Sequence, residues 1–289
     1  MAMNKTRYPR HWEWPNGERI ALTMNLAFEA FRFASQYTQG GRPGKPDQFS
    51  LSYGEYGARS GIWRLMDFMD EFGLKGSCSV NGYAAEIYPE AVKALSENGH
   101  ELVGHGWQND VIVDPDDADA VRKEIEDVTR AIEAASGQRP VGWVGPGSAG
   151  SAGTFGILAS LGYLWNGDLA NDDLPYVRET PNGPIVIMPR INAPHNDLAI
   201  WQMGRHSPEV IWEMFKNSFD QLYMEGEKGS PKAIEITLHA HIAGRPTLLP
   251  TIRRCIEYAR QHEGVLYALK RDVAAWARTQ RDIALKGAA

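Results

Sequence analysis

Two hydrophobic periods alternate along the chain. Short runs of apolar and β-branched residues read as strands, and longer stretches with apolar positions three and four apart read as helices. The strands predicted in this way are 19–29, 75–81, 100–105, 141–144, 163–168, 185–188, 233–239 and 265–269. Between them the spacing predicts helices over 58–72, 84–97, 117–135, 154–161, 208–225, 250–261 and 272–279. Gly73, Asn98-Gly99 and Gly137 stand where a helix needs a stop. The stretches 32–55 and 169–182, and the one that carries His195-Asn196-Asp197, read as loops.

Strands alternating with helices over the whole length imply βαβ units and parallel pairing. No linker-like break interrupts them. The expected architecture is therefore α/β, a single-domain distorted (β/α) barrel of seven or eight strands over residues 19–280, with a doubly wound sheet as the competing topology. Residues 1–18 read as an extended lead-in and 281–289 as a frayed tail.

Composition narrows the class of partner. The formal net charge is −6 and Lys and Arg are scattered, which disfavours nucleic acid or an anionic membrane. No stretch has the length and apolarity of a membrane span, and Met1–Pro9 lacks the core of a secretory signal, so a cytoplasmic location is expected. Cys78 and Cys255 sit in separate apolar settings with no C-x-x-C spacing; they read as buried thiols rather than a disulfide or zinc pair.

Candidate chemistry lies where strands end, because binding sites of parallel α/β folds form at the carboxyl ends of the strands. Glu29, His105, Asp168 and His239 each close a predicted strand. His100 and His105 are five apart and face opposite sides of their strand, roughly 16 Å apart at ~3.3 Å per residue, so they do not share a ligand. His239 and His241 face the same side only if the strand persists between them. An acid, a base and imidazoles converging on one rim suit hydrolysis.

Several ordered motifs carry a resemblance: Tyr53-Gly-Glu-Tyr-Gly-Ala-Arg59-Ser-Gly-Ile-Trp63-Arg64, Gly99-His-Glu-Leu-Val-Gly-His105-Gly-Trp107, Arg139-Pro-Val-Gly-Trp143, Asn171-Asp-Asp-Leu-Pro-Tyr176, Asn196-Asp197 and His239-Ala-His-Ile-Ala-Gly-Arg-Pro246. Together they resemble the PuuE-type branch of the NodB-like polysaccharide deacetylase superfamily, which holds ureide and cyclic-imide hydrolases and some peptidoglycan deacetylases. The resemblance implies a distorted barrel, hydrolysis of a non-peptide C–N bond and a homo-oligomer, a dimer or tetramer.

Metal-dependent members of the superfamily hold a divalent ion with an aspartate after the first strand and two histidines in H-x-x-x-H. Carried over, those positions are Glu29, His105 and Asn109, with Asp110 beside the last. An amide is a poor ligand for zinc, and PuuE-type allantoinases also lack the second histidine. The expectation is a site without a cofactor, zinc held by Glu29, His105 and Asn109 or Asp110 being the alternative. Glu29 is then the base, if burial raises its pKa towards neutrality. His239 transfers the proton to the leaving nitrogen, assisted by or exchanging roles with His105. A buried salt bridge from Glu29 to Arg59 or Arg245 is the competing role for that carboxylate.

The Gly-rich segment 145–153 carries neither a Walker nor a dinucleotide motif. It lacks an arginine that allantoinase-like relatives have there, which argues for a less polar ring than allantoin. The expected substrate-contacting residues are Trp107, Trp143, Gly145, Ser148, Asp168, Asp172, Asp173, Tyr176, Asn196 and Arg245, around a small-molecule amide or imide. Turn, cap or packing roles compete for each. The leading expectation is ring opening of a cyclic amide, imide or ureide. The alternatives are a metal-dependent N-deacetylase of an acetylated sugar or peptidoglycan, and a binding barrel without catalysis.

Overall fold

The structure, a computed structural model, describes residues 12–38, 45–190 and 196–286, with side chains as far as 280. Most of the lead-in (1–11), six residues of the 32–55 loop (39–44), His195 and the last three residues of the expected tail lie outside the described residues.

The strands are β1 (Ile20–Phe28), β2 (Ser77–Val80), β3 (Glu101–Gly104), β4 (Gly142–Trp143), β5 (Trp165–Asn166), β6 (Tyr176–Arg178), β7 (Ile185–Ile187), β8 (Lys232–His239) and β9 (Val265–Tyr267). Eight of them follow one path, β6-β7-β5-β4-β3-β2-β1-β8, and β9 adds to the lower half of β1 below β2. All neighbours are parallel except β6 and β7. The sheet curls into a half-barrel whose edges approach without a ladder. An Ala233 N–H donates to Asp173 O at 3.3 Å, and Asn196 bridges Thr237 in parallel register.

The outward faces of the strands pack under the helices in one large core that includes Leu22, Leu26, Phe28, Leu102, Ile234 and Leu238. The inward faces differ. Successive side chains of a strand point to opposite faces, so Asn25, Ser77, Ser79, Glu101, Glu235 and Thr237 turn into the barrel, all buried. There Lys270, from the start of α9 (Lys270–Lys286), pairs with Glu235 at 2.6 Å, and Ser77 and Trp165 donate to Glu101 at 2.5 and 3.0 Å. Trp12 and Trp14 close the amino-terminal end beside α9, with Trp14 Nε1 donating to Lys232 O.

Several elements depart from the predicted boundaries, among them a π-turn over Leu198–Met203 in the loop that follows Asp197. The 32–55 loop is helical from Gln48: α1 (Gln48–Tyr56), capped by Asp47, runs through a π-turn over Gly57–Gly61 into α2 (Ile62–Glu71). Its glycines hid it from periodicity, and they are there for contact. A Cβ on Gly61 would lie 1.9 Å from Ala240 O, and one on Gly54 2.6 Å from the Phe31 ring. The helix predicted over 84–97 is two, α3 (Gly82–Ile87) and α4 (Pro89–Glu97), because Pro89 cannot extend the first. The 169–182 loop contains β6, and the closing helix runs to Lys286 rather than ending at 279. The other helices, α5 (Ala118–Ser136), α6 (Ala152–Ser160), α7 (Pro208–Glu227) and α8 (Leu249–Arg260), lie where the spacing predicts them. No described helix is long and apolar enough to cross a membrane.

Alanine is the better helix former by about 1 kcal/mol. Even so, Gly61→Ala is expected to lower stability by about 2 kcal/mol, because the methyl overlaps the Ala240 carbonyl. Equilibrium urea unfolding measures this; unchanged or raised stability would show that α1 and α2 do not sit against the β8 turn as closely as described.

Candidate active site

Period-two alternation carries the polar face of each strand up to the rim, so the first residues beyond β1, β2 and β3 and the last of β8 share one mouth. These are Glu29, Asn81, His105 and His239, all buried. Glu29, only 3 % exposed, is the centre. Its Oε1 receives Asn109 Nδ2 at 2.5 Å and lies 3.1 Å from His105 Nε2 and 3.7 Å from His239 Nε2. Its Oε2 receives Gln36 Nε2 at 3.1 Å and lies 4.0 Å from His241 Nδ1. Neither Arg59 nor Arg245 pairs with it. Arg245 donates to His241 O and Tyr53 O and stacks on Tyr53 and Tyr56, tying α1 to the turn after β8.

Each imidazole is oriented from behind. His105 Nδ1 lies 2.5 Å from Val144 O. His239 Nδ1 lies 2.6 Å from Asp197 Oδ1, and Asp197 Oδ2 also accepts the His239 and Ala243 backbone N–H groups. Asp197 is 1 % exposed and serves His239 rather than marking a loop wall. Asn196 accepts from Leu198 N and bridges β8, which holds Asp197 in place.

Charge settles on opposite partners. Burial pushes the Glu29 carboxyl up, but the charge on His239 and the hydrogen bond from His105 reverse this and hold it well below the usual carboxylate range. The expected rise towards neutrality is therefore overturned, because desolvation is outweighed by the charge on His239 and by His105. Burial pulls His239 down, but Asp197 and Glu29 together hold it above the ordinary imidazole value. His241 is lowered to about 4, chiefly by burial.

Asn109 decides whether a metal fits. Ala30 N–H donates to Asn81 Oδ1, which turns the Asn81 amide nitrogen towards His105 O and Asn109 Oδ1. Asn109 must then present its own N–H to Glu29 Oε1. A donor, not a lone pair, stands at the third position of the carried-over ligand set. Asp110 faces elsewhere, its Oδ2 accepting Arg32, Phe33 and Ala34 backbone N–H groups. No cluster of three or more His, Cys, Asp or Glu able to hold a metal occurs among the described residues. Of the carried-over set, only Glu29 and His105 offer zinc a ligand in this arrangement.

A cavity of about 430 Å³ opens beside Glu29, walled by Phe31, Arg32, Phe33, Tyr83 and Tyr88 and by Gly54 of α1. None of the ten residues expected to contact substrate lines it. Trp143 is core, edge-on to Tyr163, and Trp107 covers Gly82. Gly145 N–H donates to Asp168, and Arg190 donates to Ser148, which brings a guanidinium from another element to the segment that lacks one. Asp172 accepts from Leu174 N, and Tyr176 pairs with Asn171. Asp173 lies against Ala233, six positions before His239 and about 20 Å away at ~3.3 Å per residue. His100 accepts from Gly76 N at the foot of β3, away from the mouth. Asp197 and His241 carry no catalytic role in the sequence reading, and Asn81, Gln36 and the cavity wall are absent from it, although Ser77-Cys-Ser-Val-Asn81 already shows the alternation that places Asn81 inside.

Comparisons with known proteins agree with this fold. The polysaccharide deacetylase family profile matches residues 45–165. The crystal structure of PuuE allantoinase is 28 % identical with a TM-score of 0.82, covering 96 % of each chain. That of a probable polysaccharide deacetylase from Pseudomonas aeruginosa PAO1 is 28 % identical with a TM-score of 0.84, again over 96 % of each chain. The peptidoglycan deacetylase of Helicobacter pylori is 23 % identical, over 81 % of this chain and 89 % of its own. The chain carries a polysaccharide deacetylase domain of the NodB type and is a hydrolase of that superfamily.

Proposed function

We propose that the protein opens a cyclic amide, imide or ureide ring by adding water to a ring carbonyl without a metal. The observation that carries this reading is the Asn109 N–H held against Glu29 Oε1 by the Asn81 relay, which occupies the place of a metal ligand with a hydrogen-bond donor. The aromatic walls of the cavity beside Glu29 suit a flat ring. Similarity to PuuE allantoinase over nearly the whole chain supports the same class of bond.

In this reading Glu29 accepts a proton from the attacking water, and His239, charged and braced by Asp197, gives one to the departing nitrogen. A carboxylate held so far below its ordinary range is a weak base at rest. Its basicity rises as His239 gives up its proton, because that charge is what depresses it. Base and acid therefore work as one coupled pair. His105 and Asn109 hold the carboxylate from the other side.

N-deacetylation of an acetylated glycan is the second reading, favoured by the relative named as a peptidoglycan deacetylase. A panel of succinimide-type imides, hydantoins and N-acetylated sugar oligomers separates the two. Release of a ring-opened half-amide supports the first, and acetate release with inert imides overturns it. Activity is expected to survive exhaustive chelation; loss on chelation with recovery on adding zinc would contradict the metal-free site.

Glu29→Gln and His239→Ala are each expected to lower turnover by about 10²-fold or more with the fold retained by circular dichroism. Near-normal turnover in both would end the acid–base assignment. The rate is expected to be level through neutral pH and to fall as pH rises through the raised pKa of His239, which must carry its proton. Glu29 adds no acid limb near neutrality, since its carboxyl stays ionised far into acid. Asp197→Asn removes the strongest support for the His239 charge, so the falling limb moves to lower pH; a limb that stays in place would refute this coupling.

A further inference from the structure

Glu29 has two oxygens with unequal surroundings. Oε1 faces His105, Asn109 and His239, whereas Oε2 receives a hydrogen bond only from Gln36 among the described residues. A carboxylate oxygen accepts along about two lone-pair directions. One direction on Oε2 therefore remains, and 4.0 Å beyond it stands His241 Nδ1.

The tautomer of His241 follows from Gln36. An ionised carboxylate only accepts, so the Gln36 amide nitrogen must face Glu29, which leaves Gln36 Oε1 for His241 Nε2 at 2.9 Å. Two acceptors cannot bond, so Nε2 carries the hydrogen and Nδ1 presents a bare lone pair. His241 is 1 % exposed, and its Nδ1 has no hydrogen-bond partner among the described residues. A buried acceptor left without a partner costs about 1–3 kcal/mol. The ring cannot swing away: Gln36 holds one edge, Phe31 packs edge-on at 5.4 Å, and a Cβ on Gly57 of the π-turn would lie 3.3 Å from the His241 Cβ.

Two acceptors 4.0 Å apart are matched by one atom that carries two hydrogens. Placed about 2.8 Å from each, it sees them at an angle of roughly 90°, close to what the two O–H bonds of a water span. Glu29 and Phe31 both line the cavity, so the carboxylate that this atom would bridge to His241 forms part of the cavity wall.

We propose that His241 is a further catalytic residue, holding the hydrolytic water between its Nδ1 and Glu29 Oε2. This rests on the ring-opening reading for its chemistry but not for the water site itself. The water oxygen bonds to the carbonyl carbon while its proton on the carboxylate side passes to Glu29. In step with that transfer His239 gives its proton to the nitrogen and the C–N bond breaks, after which Glu29 returns a proton to His239 to close the cycle. Bare Nδ1 accepts the second hydrogen throughout and keeps an oxygen lone pair aimed at the carbon.

A high-resolution crystal structure of the full chain at neutral pH is expected to contain an ordered water within hydrogen-bond distance of both atoms, and ¹⁵N spectra to assign His241 as the Nε2–H tautomer. His241→Phe is expected to lower kcat on the imide that wild type hydrolyses by about 10²-fold, with KM changed less than about threefold. His241→Gln, which retains an acceptor, is expected to recover part of that loss while the melting temperature of both variants stays near that of wild type. No water at this point, an Nδ1–H tautomer, or a His241→Phe variant with normal kcat would overturn the proposal. If the water and tautomer are found but imides prove inert, the site stands and the ring-opening reading falls.

Discussion

The site is organised around one buried anion. A carboxylate taken out of water and left unpaired costs several kcal/mol, and Glu29 is ringed by four donors from three parts of the chain. Two of them, His105 and Asn109, follow β3; His239 ends β8; and Gln36 lies in the segment that leaves β1. His105 and Asn109, two strands from β1, reach Glu29 only because the sheet curls. The half-barrel and the ionised state of Glu29 thus depend on each other: the curl supplies the donors, and the donors make the buried charge tolerable.

The same polar logic continues down the barrel. Glu235, Lys270, Glu101, Ser77 and Asn25 satisfy one another in the interior, where an apolar barrel would carry branched aliphatic residues. Buried pairs of this kind contribute little net stability, but they penalise any arrangement that leaves one partner alone. They therefore hold the strands in register beneath the mouth. Above them, the glycines of α1 and the π-turn let a helix rest on the β8 turn and form a cavity wall. Loss of helix propensity at those positions is offset by the close approach.

Relatives of this chain are named as a peptidoglycan deacetylase and as an allantoinase, so fold and family do not separate the two activities. The proposed reading turns on the direction of one amide. Asn81 is aimed by the Ala30 N–H, Asn109 is aimed by Asn81, and the result is an N–H at Glu29 where a metal would need a lone pair. Across the carboxylate, Asp197 braces His239. The proposed reading gives the two sides of Glu29 different tasks, one to steady charge and the other to move a proton.

Sequence by itself determined the barrel class and the presence of Glu29, His105 and His239 at strand ends, because alternation and strand polarity are local properties. It also carried the departure at Asn109. It did not reveal α1, whose glycines erase the helical signal and acquire meaning only against Ala240 and Phe31. Asp197 and Gln36 looked like ordinary turn residues; their partners lie at His239 and His241, and nothing local points to them. Trp143 and Asp173 looked like rim residues, and the path of the chain placed one in the core and the other near the barrel's foot. The charge on Glu29 was the tertiary structure's decision as well: burial alone predicts a raised pKa, and only the assembled imidazoles reverse the sign.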